Sequence, residues 1–88
     1  MYKVEYARGV AKDLKSLPKP VRERALETVE SILAKDPHMG RPLVGTYKGL
    51  WKYRIGDYRI VYSIEKDRLV VFVLRIRHRK DVYHGIVT

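Results

Sequence analysis

The stretch that most constrains the fold of this chain is residues 51–62, WKYRIGDYRIVY, which has the pattern of a β-hairpin. Aromatic and β-branched residues alternate with polar residues on both sides of Gly56-Asp57. A two-residue loop with glycine first is typical of a type II′ turn, and this loop fixes the strand pairing. The predicted pairs are Trp51 with Tyr62, Lys52 with Val61, Tyr53 with Ile60, Arg54 with Arg59, and Ile55 with Tyr58.

Because side chains alternate across a strand, this hairpin has two different faces. The apolar face is suited to a core and carries Trp51, Tyr53, Ile55, Tyr58, Ile60 and Tyr62. The other face carries Lys52, Arg54 and Arg59, with Val61 among them. Like charges opposite each other destabilise a sheet by up to about 1 kcal/mol, so this face gains no stability from them. It is either a site for a polyanion or a solvated basic face, and the charges alone do not show which of the two it is.

Length and composition indicate one domain spanning residues 1–88 that is cytoplasmic and independent of disulfides. The chain has 88 residues, 45% of them hydrophobic, and no cysteine. It has no apolar run near the ~18 residues that a membrane helix needs, and no signal-peptide pattern at its start. We therefore expect no membrane partner.

Positive charge is concentrated in the second part of the chain, and the net charge is +9. Residues 1–37 contain eight basic and six acidic residues, whereas residues 38–88 contain eleven and four. A concentrated basic surface is typical of binding to nucleic acid or to an acidic protein.

The remaining patterns predict an α+β fold in which a helical hairpin packs on one face of a sheet. Residues 2–6 alternate as a first strand, and residues 8–16 and 20–35 have helical apolar spacing, separated by Pro18-Lys19-Pro20. Mixed charges on these helices indicate a scaffold. With the hairpin and one further strand the order is β-α-α-β-β-β, ending in a three-stranded antiparallel meander. Residues 37–49 form a long loop that is either functional or a simple connection.

The last strand brings further cations to the basic face. Residues 69–74 are apolar at every position, which is typical of a strand covered on both faces and central in a sheet. A turn of two or three residues precedes it, so its register stays open. In either register its far end, residues 75–80, lies next to the basic face of the hairpin.

The residue types exclude most catalytic sets and indicate phosphate chemistry. Three histidines, no cysteine and no clustered carboxylates disfavour a zinc or two-metal site, so we predict no metal and no cofactor. Glycine-rich phosphate loops and nucleophile elbows are also missing from the sequence. A cluster of lysine, arginine and tyrosine can bind phosphate and stabilise charge when the substrate supplies its own nucleophile, as RNA does with its 2′-hydroxyl.

Two strings together, GLWKYRIGDYRIVY at 49–62 and RHRKDVY at 77–83, resemble the RelE/ParE toxin superfamily, and its RelE branch in particular. The resemblance covers nearly the whole chain. It implies a toxin of a toxin–antitoxin pair that cleaves mRNA in the ribosomal A site and is silenced by a cognate antitoxin, with which it forms a hetero-oligomer.

The resemblance also implies roles for individual residues. Lys52 matches a lysine that acts as base or stabilises charge, Arg59 the arginine at the scissile phosphate, and Arg79 the proposed general acid for the leaving 5′-oxygen. Tyr83 matches a tyrosine that positions or stacks on a base. Arg54 stands where the family often has a second lysine, and since arginine keeps its proton it can only stabilise charge. The predicted RNA-binding residues around this catalytic set are Lys48, Arg75, Arg77, His78 and Lys80.

Two alternatives remain at this point. One is a ParE-like toxin that inhibits DNA gyrase without nuclease activity. The other is an inactive homologue that binds only RNA or its antitoxin. Fold alone does not choose among these functions.

Overall fold

The structure, a computed structural model, describes residues 1–81 and contains one five-stranded sheet with the order β1-β5-β4-β3-β2. The elements are β1 (Lys3–Tyr6), α1 (Val10–Ser16), α2 (Lys19–Thr28), β2 (Arg41–Pro42), β3 (Leu50–Ile55), β4 (Tyr58–Glu65) and β5 (Val70–His78). The predicted α+β fold class is confirmed. The structure adds one strand, β2, that was not predicted.

The hairpin of β3 and β4 has the predicted register at all five pairs, from Trp51 with Tyr62 to Ile55 with Tyr58. Gly56 has a φ of +61°, which a type II′ turn requires at its first loop position. The predicted apolar face is the core face of the sheet. Ile55, Ile60 and Tyr62 are buried there, and the remaining aromatic residues of that face pack against them.

The turn between β4 and β5 is longer than either of the two lengths expected from the sequence. Glu65 pairs with Val70, so the turn contains residues 66–69 instead of two or three residues. Leu69, expected in the strand, lies in this turn with a φ of +54°. A bulge between Val61 and Tyr62 then shifts the pairing. As a result the strand places Ile76, as well as Val73, in the core.

Strand β1 pairs in parallel with β5, from Lys3 with Val70 to Tyr6 with Val73. The Ala7 N–H extends this ladder by donating to the Val73 carbonyl at 2.8 Å, after which the chain turns into α1. Strand β5 therefore has β4 on one side and β1 on the other, which agrees with the interior position predicted for it. Its last residues continue beyond the end of β1, where α1 takes that place.

A proline separates the two helices, and a wider helical turn follows the second helix. Pro18 precedes α2 and Pro20 lies in its first turn, where a missing N–H costs nothing. The helix continues past Thr28 as a π-helical turn, Val29–Leu33, closed by the Ala34 N–H donating to the Val29 carbonyl at 2.9 Å. Ile32, predicted on the apolar stripe, is 36% exposed because the wider turn rotates it outward. No helix within residues 1–81 has the length and apolar character needed to cross a membrane.

The long connection between α2 and β3 is held against the sheet. It contains two 3₁₀ turns, Pro37–Met39 and Gly45–Tyr47, with β2 between them. The buried Tyr62 hydroxyl donates to the Pro37 carbonyl at 2.5 Å. A Cβ at Gly40 would overlap the Lys52 carbonyl and the Tyr62 hydroxyl, so glycine permits this close approach. Strand β2 then pairs Arg41 with Lys52.

Candidate functional site

Two adjacent cavities open where the basic ends of the strands meet. The first, here called the basic cavity, has a volume of about 440 Å³ and is lined by Lys52, Arg59, Arg79 and Lys80. The second, here called the edge cavity, has a volume of about 450 Å³. Its lining is Met39, Gly40, Arg41, Lys52, Tyr53, Arg54 and Arg59. Lys52 and Arg59 line both, so the two cavities form one continuous basic surface.

The fold explains why these cations come together. The hairpin register puts Lys52 and Arg59 on the face opposite the core residues. The Arg79 N–H donates to the Asp57 carbonyl at 2.8 Å, which attaches the chain leaving β5 to the hairpin turn. Arg79 and Lys80 therefore lie beside the hairpin cations, as the sequence predicted. A turn of different geometry at residues 56–57 would remove this attachment.

Among residues 1–81, the lining of both cavities contains six cations and no carboxylate. Within residues 1–81, no ion pair or hydrogen bond engages the side chain of Lys52, Arg59, Arg79 or Lys80. Arg54 differs because its Nε donates to the Gly56 carbonyl at 3.0 Å. Cations that are concentrated in this way repel one another and so destabilise the folded state. They are also electrostatically complementary to an external polyanion.

The structure places Arg75 and Arg77, predicted to bind RNA, at a carboxylate instead. Arg77 Nε lies 2.8 Å and Arg75 Nη1 lies 3.3 Å from Oδ1 of Asp13, on α1. The Ile76 N–H donates to Oδ2 of the same carboxylate at 3.2 Å. Neither arginine lines the basic cavity or the edge cavity. The sequence predicted α1 to be scaffold, and this contact was not predicted.

Two further predicted RNA-binding residues also lie away from both cavities. Lys48 is exposed at the end of a 3₁₀ turn. His78 packs edge-on against Tyr58, with ring centroids 5.4 Å apart, and its Nδ1 accepts a hydrogen bond from the Lys80 N–H at 3.2 Å. This contact places His78 on the core side of the sheet. Tyr83, predicted as a stacking residue, lies outside the described residues.

Arg41 is a cavity residue that the sequence analysis did not single out. It sits in β2 opposite Lys52 and lines the edge cavity. One local signal pointed to it: a residue before proline is pushed toward extended backbone, as Arg41 is before Pro42. That signal predicts an extended residue but not the strand that it joins.

Two tyrosines have raised pKa values. Burial, the main cause, raises the pKa of Tyr62 to about 12, and the nearby Asp36 carboxylate adds to the effect. Burial also raises the pKa of Tyr6, together with the charge and hydrogen bond of Glu30. Tyr62 therefore keeps its proton and its bond to Pro37 throughout the neutral range. Among residues 1–81 there is no group of three or more His, Cys, Asp or Glu side chains placed to hold a metal ion.

Comparisons with known proteins agree on one family. Residues 4–83 match the family described as the ParE toxin of type II toxin–antitoxin systems. Toxin RelG of Mycobacterium tuberculosis is 31% identical over 83 residues, covering 93% of this chain and 95% of RelG. Toxin RelE of the same organism is 35% identical over 83 residues, covering 93% of this chain and 86% of that toxin.

Solved structures of toxins and of toxin–antitoxin complexes are also similar to this chain. The RelBE2 toxin–antitoxin complex of M. tuberculosis matches with a TM-score of 0.83 at 30% identity, covering 89% of this chain and 98% of the matched one. The archaeal RelE–RelB complex of Pyrococcus horikoshii matches with a TM-score of 0.67 at 33% identity, covering 89% and 94%. Isolated RelE of Escherichia coli, at 22% identity and a TM-score of 0.74, shares the fold.

These likenesses define the class of the protein, which is the toxin of a type II toxin–antitoxin system. Within that class the chain belongs to the ParE toxin family and is a RelE-like member of it, so the resemblance found in the sequence is confirmed.

Proposed function

We propose that this toxin is a ribosome-dependent endoribonuclease that cleaves mRNA in the A site. The observation that carries the proposal is the convergence of Lys52, Arg59 and Arg79 on one cavity, to whose lining the described part of the chain contributes no carboxylate. A ribose-phosphate bend matches this arrangement, because guanidinium groups bind phosphate oxygens with two parallel hydrogen bonds.

In the proposed reaction the substrate supplies the nucleophile. The RNA 2′-oxygen forms a bond to the adjacent phosphorus, and the bond from phosphorus to the 5′-oxygen breaks, which leaves a 2′,3′-cyclic phosphate and a 5′-hydroxyl end. The proton of the 2′-hydroxyl is taken up by Lys52 or by water, and the leaving 5′-oxygen takes a proton from water. No metal ion is needed in this scheme.

The cations stabilise the charge that develops during this exchange. Arg59, between the two cavities, faces the phosphate, and Arg54 adds positive charge from the edge cavity. Arg79, whose main chain is held by the hairpin turn, stabilises the negative charge that develops on the leaving 5′-oxygen and keeps its own proton. Fixed cations directed at developing charge are often the largest single contribution to catalysis.

We also propose that a cognate antitoxin silences the protein by covering this basic surface. The matched M. tuberculosis and P. horikoshii structures are toxin–antitoxin complexes. Acidic antitoxin side chains that meet Arg59 and Arg79 would be electrostatically complementary to these clustered cations. The toxin would then act in the cytoplasm, where both its antitoxin and its ribosomal target are found.

The test is cleavage of mRNA on programmed ribosomes, with the 5′ ends of the products mapped. We expect the parent protein to cut, and Arg59→Ala combined with Arg79→Ala to reduce the rate at least a hundredfold, since each lost electrostatic contact costs roughly 10²–10³ in kcat. A matched control, Lys15→Ala with Lys19→Ala, removes the same charge from exposed helix positions and should cut like the parent. Equal rates for the first double variant and the parent would contradict the mechanism.

A gyrase-inhibiting toxin on the same fold is the competing function. Its assay is DNA supercoiling by gyrase with purified toxin added. Inhibition of supercoiling by a protein that leaves ribosome-bound mRNA intact would replace the nuclease proposal.

A further inference from the structure

A row of three arginines runs across three adjacent strands, on the face of the sheet opposite the core. Arg54 on β3 pairs with Arg59 on β4, and Arg59 pairs in turn with Arg77 on β5. Directly opposed residues have Cβ atoms about 5 Å apart, so three guanidinium groups on one face repel one another. Contacts made by the arginine side chains reduce this repulsion while the strands remain paired.

The two outer arginines of the row are both engaged. Arg54 Nε donates to the Gly56 carbonyl at 3.0 Å, and Arg77 Nε donates to Asp13 Oδ1 at 2.8 Å. Within residues 1–81 the central one, Arg59, has neither an ion pair nor a side-chain hydrogen bond, and it faces both cavities. One arginine of the three is thus left to meet an incoming phosphate.

The Asp13 carboxylate is a buried hydrogen-bond acceptor for the end of β5. Its side chain is 1% exposed, and both carboxylate oxygens accept hydrogen bonds, Oδ2 from the main chain of Ile76. That N–H lies on the edge of β5 that β1 pairs with further up, so the carboxylate continues the ladder where β1 has ended. A buried carboxylate needs such donors, and these fix its position.

A second feature of α1 accommodates the same arrangement. A Cβ at Gly9 would lie 2.6 Å from Arg75 Nη1 and 3.3 Å from Arg75 Cζ. The glycine at the start of α1 therefore leaves room for the Arg75 guanidinium to reach Asp13. The Asp13 carboxylate binds both arginines of β5, and the absence of a side chain at Gly9 leaves space for one of them.

We infer that Asp13 is a positioning residue of the toxin: it withdraws Arg75 and Arg77 from the basic surface and fixes the end of β5, so that Arg59 and Arg79 meet the RNA phosphate without competing cations. This inference rests on the proposed function for its catalytic consequence. Its binding consequence can be measured without any cleavage.

The first experiment measures binding of the full chain to a single-stranded 2′-O-methyl oligonucleotide, which lacks the attacking hydroxyl, over a range of salt concentrations. Asp13→Asn keeps an acceptor for the Ile76 N–H but loses the charge that holds the arginines. We expect the slope of log affinity against log salt to steepen by roughly 0.7 to 1.4, since each additional phosphate contact on a single strand contributes about 0.7. Glu27→Gln, the matched control, adds the same charge at an exposed position of α2 and should keep the parent slope.

The second experiment separates positioning from folding by rescue. On programmed ribosomes we expect Asp13→Asn to lower kcat about tenfold without raising KM, and Asp13→Asn combined with Arg77→Gln to recover most of the loss. A merely structural role predicts that the double variant is no better than the single one. An unchanged salt slope in folded Asp13→Asn, or no recovery in the double variant, would overturn the inference.

Arg77→Gln alone keeps the test decisive if Asp13→Asn does not fold. An Arg77 that is held at Asp13 contributes nothing to RNA binding, so this variant should show the parent salt slope. A slope shallower by about 0.7 would show that Arg77 contacts phosphate and would overturn the inference. A parent protein that cuts no mRNA removes the proposed function, yet the salt slopes still decide the role of Asp13.

Discussion

At the scale of single residues, Tyr62 determines how the long connection meets the sheet. Its ring lies in the core, and its hydroxyl crosses to the Pro37 carbonyl, 25 positions away in sequence. Both partners are buried, so the bond cannot be exchanged for one to water. The edge cavity depends on this contact, because Gly40 and Arg41 follow directly after the turn that it holds.

We expect Tyr62→Phe to destabilise the fold by about 1 to 3 kcal/mol, because it leaves a buried carbonyl without its donor. Equilibrium unfolding in urea measures the change. Tyr53→Phe, at a half-buried position of the same face, is the control and should have a smaller effect. A Tyr62→Phe protein as stable as the parent would show that the carbonyl finds another donor.

The pH dependence of stability gives a second prediction for Tyr62. Its pKa is about 12 in the folded state and 10.0 ordinarily, so the folded state holds the proton more tightly. The associated stability is fully present below pH 10 and is lost as the pH rises toward 12, up to about 3 kcal/mol in all. Urea midpoints from pH 8 to 11.5 should fall more steeply for the parent than for Tyr62→Phe, and parallel curves would contradict this origin.

Contacts between distant side chains were the least predictable part of the site. Lys52, Arg59 and Arg79 could be placed from alternation and a turn, which are local properties. Asp13 could not, because nothing near it in sequence indicates that β5 ends beside α1. For the same reason Arg75 and Arg77 read as free cations in the sequence, although the fold supplies them with a carboxylate.

At the scale of elements, turn chemistry decided which strands could be predicted. Gly56-Asp57 permits one short loop, and the whole β3–β4 register follows from it. The β4–β5 turn has no glycine and places Leu69 in the left-handed region, where the sequence offers no signal. Strand β2 has two residues and exists only because β3 is there to pair with it.

Replacing Gly56 with alanine should weaken the hairpin for conformational reasons alone. A Cβ at Gly56 meets no atom within 4 Å, but its φ of +61° is unfavourable for alanine. We expect a loss of about 1 to 2 kcal/mol, measured as a lower urea midpoint with an unchanged m-value. Asp57→Ala at the next, exposed position is the control and should change little. A Gly56→Ala protein with the parent midpoint would show that the turn adopts another type.

Strand β2 should contribute to substrate binding through Arg41. Its side chain lines the edge cavity beside Lys52 and Arg54 but not the basic cavity. We expect Arg41→Ala to raise KM for ribosome-bound mRNA severalfold and to leave kcat within about twofold, since the lost contact serves binding equally in ground and transition states. Lys66→Ala, which removes one charge at the β4–β5 turn, should change neither constant. A fall in kcat alone would place Arg41 at the reacting phosphate.

At the scale of the whole molecule, the charge is divided between a balanced scaffold and a basic surface. The net charge of +9 was visible in the sequence, as was its concentration after residue 37. The sheet determines where these cations point, because β2, β3, β4 and the residues that follow β5 direct their cations toward adjoining cavities. Long-range attraction to a polyanion then supplements the contacts made within the site.

This distribution predicts a strong salt dependence of RNA binding. If two to four phosphates are neutralised, the slope of log affinity against log salt should lie between about −1.4 and −2.8. Titration of the parent protein with a single-stranded 2′-O-methyl oligonucleotide measures it. The Lys15→Ala and Lys19→Ala control should keep the slope, and a slope near zero would show that the basic surface does not bind phosphate.

The parallel pairing of β1 with β5 has a consequence for synthesis. Lys3 cannot meet Val70 until almost all of the described chain has been made, and β5 is also the strand that leads to Arg79. A nascent chain therefore carries an unpaired first strand and an incomplete basic cavity while it is still being translated. The basic cavity is therefore completed only when synthesis of the chain is almost finished.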